Sequence, residues 1–513
     1  MRAQFKALLC IVAAVTLTLT AFEGASAQKY QSRGDKPSYQ PPSRGDGGGH
    51  RGGGRNRGPG WGAVIPGIIA VAPLLLPPPA EGGQFIDDGT VVEDIDRPRR
   101  RQRPPTSTTR RNPSSAPPAN ERRLVPDEVV IELRSTVTPQ QIDALQTRHR
   151  LTRLEQQTSQ LAGTTLYRWR IPDRRSVRAV VLELEADNAV ASAQPNYVFA
   201  LQQAEAQTDS KPEGDPAQYE LAKLRLPQAH ALARGNNIRV AVIDSGIDGE
   251  HPDLVGAVVE SFDAISPDKP GTDAPPATPH KHGTSIAGLI AARGKFVGAA
   301  PGAQILAIRA FDPDGSGANA TTFAILKGLD WAASHDARII NMSFAGPNDP
   351  AIHRSLEAAH KKGIVLIAAA GNAGAKSPPL YPAADANVIA VTATDAGDKL
   401  FEASNRGKHI AVAAPGKDLF VAIPEGGYEQ SSGTSYSAAA VSGIVALMLE
   451  SKSDLTPDQV RNVLMATARD LGPKGRDSLY GAGLADALGA VSAQSVAVAG
   501  AKASVKRVST GAR

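Results

Sequence analysis

The stretch IRVAVIDSGID, residues 238–248, decides the fold of the longer half of this chain. Interrupted only by Arg239, it runs apolar from Ile238 to Ile243, is rich in β-branched residues, and stops abruptly at Asp244, Ser245 and Gly246. A short apolar run without strict alternation reads as a strand buried on both faces. Four similar runs follow: AQILAIRAF (303–311), ARIINMSF (337–344), GIVLIAAAGN (363–372) and NVIAVTATD (387–395). Helically spaced segments lie between them, TTFAILKGLDWAASH (321–335) and AIHRSLEAAHKKG (351–363). The alternation predicts an α/β domain whose parallel sheet is covered by helices on both faces, in three layers.

In such sheets functional groups gather where strands end, and several ends here carry reactive residues. Asp244 closes the first strand. His282 opens a helical run in HGTSIAG (282–288), and Asn372 follows the fourth strand in AAAGNAG (368–374). Toward the C-terminal end, SSGTSYSAAAVS (431–442) sets five serines in twelve positions. A serine hydroxyl is a weak nucleophile unless a base lies within hydrogen-bond reach and a third group orients that base. Asp244, His282 and Ser435 supply such a set. Ser432, Ser437 and Ser442 read as structural, and His280 and His251 as loop residues rather than metal ligands.

Asp-Ser-Gly at 244–246, His-Gly-Thr at 282–284, Asn372 after Ala-Gly, and Gly-Thr-Ser at 433–435 occur in one order between residues 244 and 435 of a domain of about 250 residues. With these motifs the chain resembles the subtilisin-like serine proteases. The resemblance implies a subtilisin-like fold, with Ser435 as nucleophile, His282 as base, Asp244 as its orienting group, and Asn372 as an oxyanion-hole donor. It implies further that Ser343, Phe344, Ala345 and Gly346 pair with the substrate backbone, while Ala369, Ala370 and Gly371 form the opposite wall of the first specificity pocket. Phe344, Ala345 and Leu380 depart from the family pattern and suggest a shallow pocket for apolar or small side chains. Tyr436 and Ser437 stand where the family has Met and Ala, so the bulk of Tyr436 bears on pocket shape. Asp253 in HPDL (251–254) matches one calcium ligand of some members, but AARGKFVGAAPG (291–302) lacks the insertion that completes that site. No metal and no cofactor are therefore expected.

Outward from this domain, assigned to 219–491, the chain changes character. Residues 124–201 read strand (EVVIEL), helix capped by Thr138 (TPQQIDALQTRHRL), strand (TTLYRWRI), amphipathic helix (SVRAVVLELEAD) and a last extended piece (VASAQPNYVFAL). The order suggests a small ferredoxin-like α+β domain. The resemblance implies an inhibitory prodomain whose last strand occupies the active-site groove like a product. A linker, 202–218, follows it, with the junction between the two domains somewhere inside, and a basic tail ends the chain at 492–513.

Residues 1–27 have the basic, apolar, then small-x-small order of a cleavable secretory signal. Their Cys10 is the single cysteine of the chain. Residues 28–123 form a Gly-, Pro- and Arg-rich arm, predicted to be disordered. Over residues 28–126 there are 16 Lys and Arg against 9 Asp and Glu, so the arm accounts for the net charge of +5. Within it, 61–80 (WGAVIPGIIAVAPLLLPPPA) is uncharged but broken by Pro66 and Pro73, and is a candidate for membrane or envelope association. The expectation is a monomeric, secreted or periplasmic bacterial endopeptidase, made as a self-processing precursor. Its partners are a peptide or unfolded protein substrate and its own prodomain, with no nucleic acid. A rival reading is a catalytically silent or permanently inhibited envelope-associated scaffold.

Overall fold

The computed structural model describes residues 114–202, 218–266, 278–314 and 317–493. The signal, nearly all of the arm with its segment 61–80, most of the 202–218 linker and most of the 492–513 tail lie outside the described residues.

The smaller domain runs β1 (Leu124–Leu133), α1 (Pro139–His149), β2 (Thr152–Ser159), β3 (Thr164–Arg170), α2 (Val177–Glu185) and β4 (Val190–Leu201). Thr138 caps α1 in a reciprocal capping box with Gln141, and Pro139 fits the first turn, where no amide hydrogen is needed. The sheet order β2-β3-β1-β4, antiparallel throughout, is that of a split βαβ fold. Strand β2 escapes a sequence reading because TRLEQQTS has one large apolar residue and no alternation. Trp169, Val180, Val181, Leu184 and Ile131 form the core between the sheet and its helices. Residues 114–123 fall in the expected disordered arm, but 114–117 contact α2 and Arg123 O accepts from Val198 N of β4. Ser115 N and Ser114 Oγ both donate to the Glu185 carboxylate, and Arg178 donates to Pro117 O.

The larger domain begins with two short helices, α3 (Tyr219–Lys223) and α4 (Leu226–His230), then β5 (Arg239–Asp244), β6 (Val258–Asp263), α5 (Lys281–Ala291), β7 (Gln304–Arg309), β8 (Asp312–Asp314), β9 (Gly317–Thr321), α6 (Thr322–Ser334), β10 (Ile339–Met342), β11 (Phe344–Ala345) and α7 (Pro350–Lys361). It closes with β12 (Val365–Ala369), β13 (Val388–Thr394), β14 (Ile410–Pro415), the hairpin β15 (Leu419–Ile423) and β16 (Gly427–Ser431), α8 (Thr434–Ser451) and α9 (Pro457–Thr467). Seven parallel strands lie in the order β14-β13-β12-β10-β5-β7-β6.

Alternate residues of these strands enter different cores, as the pleat requires. Val240 and Val242 pack with α5 and α8 on one face; Ala241 and Ile243 pack with α6 and α7 on the other. The apolar run that opened the sequence reading is continuous because both of its faces are covered. The chain therefore has the three-layer, subtilisin-like architecture that the sequence predicts.

The two domains share a second sheet. Strand β4 continues past β1 into the larger domain, pairing antiparallel with β9 on one side and β11 on the other. Val198 to Leu201 thus form the middle strand of a three-stranded ribbon, which places the end of the smaller domain against the carboxyl ends of the main sheet.

Candidate active site

Each of the reactive side chains is positioned by an element terminus. Asp244 is the last residue of β5, His282 the second of α5 and Ser435 the second of α8, and all three are buried. His282 Nδ1 lies 2.8 Å from Asp244 Oδ1 and 3.0 Å from Oδ2, so the carboxylate fixes the ring and directs Nε2 outward. Ser245 N donates to the same Oδ1 at 2.7 Å. Ser435 does not bond to His282. Its Oγ donates to Gln202 O at 2.5 Å, with Ser343 O farther off at 3.1 Å, while His282 Nε2 is buried without a hydrogen-bond partner among the described residues. The hydroxyl faces the Gln202 carbonyl rather than the imidazole.

Asn372 presents the same half-finished state. Its Oδ1 accepts from Thr434 N at 3.0 Å and Thr434 Oγ1 at 2.9 Å, which orients the amide, and its Nδ2 is buried without a partner among the described residues. Buried polar groups are almost always satisfied. Two unpaired ones beside the same serine, one aromatic nitrogen and one amide donor, mark a site awaiting charge. At the second position of α8 the Ser435 amide hydrogen has no intrahelical partner either.

The loop carrying Asn372 is held by Asn405, a residue that no sequence motif singled out. Asn405 Nδ2 donates to Ala370 O, its Oδ1 accepts from Ala373 N, and its own N donates to Gly371 O. Gly371 has φ +108°, and a Cβ there would run into the Asn405 amide, so glycine is required twice over.

The tail residues Phe199 to Gln202 lie where a peptide would lie. Leu201 pairs with Phe344 and Ala200 with Ala345, and Gln202 N donates to Ser343 O at 3.1 Å. Opposite, Phe199 pairs with Ala320 and Ala200 with Asn319. Gln202 Oε1 accepts from Asn372 N at 2.9 Å. Phe199 is buried edge-on to Phe344, with ring centroids 6.0 Å apart. A Cβ on Gly346 would strike the Phe199 ring, so the absence of a side chain opens this pocket. Burying a phenylalanine contributes about 2–3 kcal/mol.

The segment 343–346 contacts residues 199–202 of the chain, and Phe344 meets the side chain three residues before Gln202, not Gln202 itself. Its departure from the family pattern does not bear on the pocket for the last residue. Ala369 and Ala370 are buried in the two cores, and Gly371 N donates to Thr434 Oγ1.

The expected influence of Tyr436 on pocket shape is also not seen. The ring is fully buried, its centroid 6.1 Å from that of His282, and its hydroxyl donates to Ser431 Oγ at 2.8 Å. Burial pushes the phenol well up, so it remains a donor. Ser437 donates to Ala414 O and Ser442 to Asn341 Oδ1, and Ser432 ties to Asp418. His280, expected in a loop, caps α5. His251 is buried, its ring set edge-on to Tyr428 at 5.4 Å. Asp253 is closed off by protein donors, the Tyr428 hydroxyl and Lys295 N at 2.7 Å.

Comparison with known proteins places the two domains in families. Residues 235–483 match the model of the subtilase family, and residues 110–196 match that of the fervidolysin N-terminal prodomain. Thermitase from Thermoactinomyces vulgaris is 36% identical over 246 residues, covering 47% of this chain and 85% of thermitase. Subtilisin E from Bacillus subtilis is 36% identical over 274 residues, 52% of this chain and 69% of subtilisin E. The crystal structure of fervidolysin from Fervidobacterium pennivorans, a keratinolytic enzyme related to subtilisin, superposes with a TM-score of 0.61 at 24% identity. It covers 72% of this chain, and the chain spans 61% of that structure's length.

Proposed function

The chain belongs to the subtilase family and is a subtilisin-like serine peptidase with a prodomain, and from that premise we propose that it is an exported endopeptidase that cuts its own precursor between Gln202 and Gln203. The observation that carries this reading is the contact of Ser435 Oγ with Gln202 O, at the end of a tail paired as a strand in the cleft.

In this reading Ser435 attacks the Gln202 carbonyl carbon and gives its proton to His282 Nε2. Asp244 holds the ring through Nδ1 and balances the charge that forms on it. The developing oxyanion takes hydrogen bonds from Asn372 Nδ2 and Ser435 N. The Gln202–Gln203 bond breaks as His282 returns the proton to the Gln203 nitrogen, and water then releases Gln202 from the acyl-enzyme. The peptide substrate follows the track of residues 199–202: an aromatic side chain in the Gly346 pocket, backbone pairing with 343–346, and a polar residue tolerated before the cut bond.

The prodomain acts as inhibitor by two amide contacts beyond the tail. Gln194 donates to Asp349 Oδ1 at 2.7 Å and accepts from Ala351 N at 2.9 Å, clasping the N-terminus of α7. Asn196 Oδ1 accepts from Phe323 N at the start of α6. Asp349 is wholly buried, and burial pushes its carboxyl upward despite four donors. Gln194→Glu places a second carboxyl against it. The inhibition constant of the added prodomain should rise on the order of 10²- to 10³-fold at neutral pH. The loss should shrink as pH falls, because one of the two acids then carries a proton and donates to the other. An inhibition constant within threefold of wild type at neutral pH would remove Gln194 from the interface.

Secretion and a monomeric state are part of the same proposal. Among the described residues no helix is long and apolar enough to cross a membrane. Because Tyr428 and Lys295 saturate Asp253, we read that carboxylate as a structural acceptor rather than a calcium ligand. The functional test is labelling with a fluorophosphonate: an adduct on the peptide containing Ser435 is expected, and a reactive, folded enzyme labelled elsewhere would refute the assignment.

A further inference from the structure

We propose that His280 is a positioning residue for the Asp244–His282 pair, acting through the Ser245 hydroxyl, which it turns away from or toward Asp244. The proposal rests on the peptidase reading above and concerns how that site holds its base.

Ser245 Oγ has three neighbours. It lies 3.0 Å from His280 Nδ1 and 3.2 Å from Asp244 Oδ1, and it accepts the Gly283 amide hydrogen at 3.1 Å. A hydroxyl has one proton to give, so it serves either the imidazole or the carboxylate. The arrangement is rigid. His280 N donates to Gly246 O at 2.9 Å, His280 Nδ1 also faces His282 N at 3.4 Å as the cap of α5, and a Cβ on Gly283 would collide with Ser245 O.

With Nδ1 unprotonated, His280 takes the Ser245 proton at the shorter of the two contacts. Asp244 then keeps two donors, Ser245 N and the His282 ring. When Nδ1 gains a proton it donates to Ser245 Oγ, and the hydroxyl turns to Asp244 Oδ1. A carboxylate with a further donor holds an imidazolium less firmly, and a charged His280 repels a second positive charge nearby. Both effects act in one direction: they disfavour positive charge on the His282 ring.

The charged groups facing His280 come from three elements: His282 and Lys281 on α5, Asp244 on β5 and Glu429 on β16. Burial of the half-buried ring lowers its affinity for a proton most, His282 and Lys281 lower it further, and Asp244 and Glu429 oppose them. The net direction is down, so His280 titrates on the acid side of the ordinary histidine range, where a serine peptidase loses its base.

The test is the pH profile of kcat/KM for the mature enzyme released from the full precursor, from about pH 4.5 to 9, on a peptide carrying Phe-Ala-Leu-Gln before the cut bond. The wild-type acid limb should be shallower than one ionisation. His280→Asn keeps an oxygen to cap α5 and to accept from Ser245 but takes up no proton. Its limb should follow a single ionisation, with kcat/KM falling about three- to tenfold below wild type at the acid end and less at the alkaline end, and KM unmoved by pH. Adding His280→Asn to Ser245→Ala should change the profile less than His280→Asn does alone, since the hydroxyl link is already cut and only the through-space repulsion between the two rings is left to remove. Superimposable limbs for wild type and His280→Asn, or a loss equal at every pH, as a packing role would give, overturn the proposal. A folded wild-type enzyme without any hydrolysis would overturn the peptidase reading, and this proposal with it.

Discussion

Ser435→Ala should abolish peptide hydrolysis, lowering kcat on the order of 10⁶-fold, the scale established for loss of the nucleophile in subtilisin. The same variant should accumulate as uncut precursor. Its fold should hold, because the hydroxyl is bonded to Gln202 O and Ser343 O and to no structural side chain, and the residue keeps its place at the start of α8. Removing those contacts relieves no packing and leaves no large cavity. Far-UV circular dichroism and thermal unfolding should therefore match the wild-type precursor while the gel shows one uncleaved band. A precursor that still processes itself in the purified state would show that Ser435 is not the nucleophile.

The second large effect is expected at Asn372. Its Nδ2 is the one buried side-chain donor beside Ser435 without an acceptor among the described residues, while its Oδ1 is held by both Thr434 groups. A buried donor without a partner, oriented by its own oxygen, is what a developing oxyanion requires. Asn372→Ala should lower kcat about 10²- to 10³-fold with little change in KM, the scale established for the corresponding donor of subtilisin. Stopped-time assays on a chromogenic peptide separate the two parameters. A variant with wild-type kcat, or one that loses only KM, would assign the amide to binding.

How far the sequence alone reached depended on how local each feature is. The buried strands around Asp244, Asn341, Ala368 and Val391 were legible because continuous apolar runs arise from covering both faces of a sheet. Strand β2 was not: it is polar apart from Leu154 and is fixed by its hairpin with the adjacent β3, whereas the two-residue β11 exists by pairing with the remote β4. Asp244, His282, Asn372 and Ser435 stood out because each sits in a short motif at an element end. Gln202, Asn405, Gln194 and the Ser245–His280 link did not. Gln202 meets a residue 233 positions away, Gln194 one 155 away, and His280 one 35 away, so no spacing rule announces them. Tyr436 shows the opposite failure. Its bulk was visible in sequence, but its direction was not, and the structure sends it inward to Ser431 rather than into the cleft.

The tail unites these observations. A strand whose Gln202 carbonyl meets the Ser435 hydroxyl, while His282 Nε2 and Asn372 Nδ2 have no partner among the described residues, is what the proposed self-cutting precursor requires. The sharpest measurement is the N-terminal residue of the active enzyme, read by intact mass and terminal sequencing immediately after processing begins. The account predicts a chain starting at Gln203 and a released fragment ending at Gln202. A first cut elsewhere, with the Gln202–Gln203 bond intact in the active form, would contradict it.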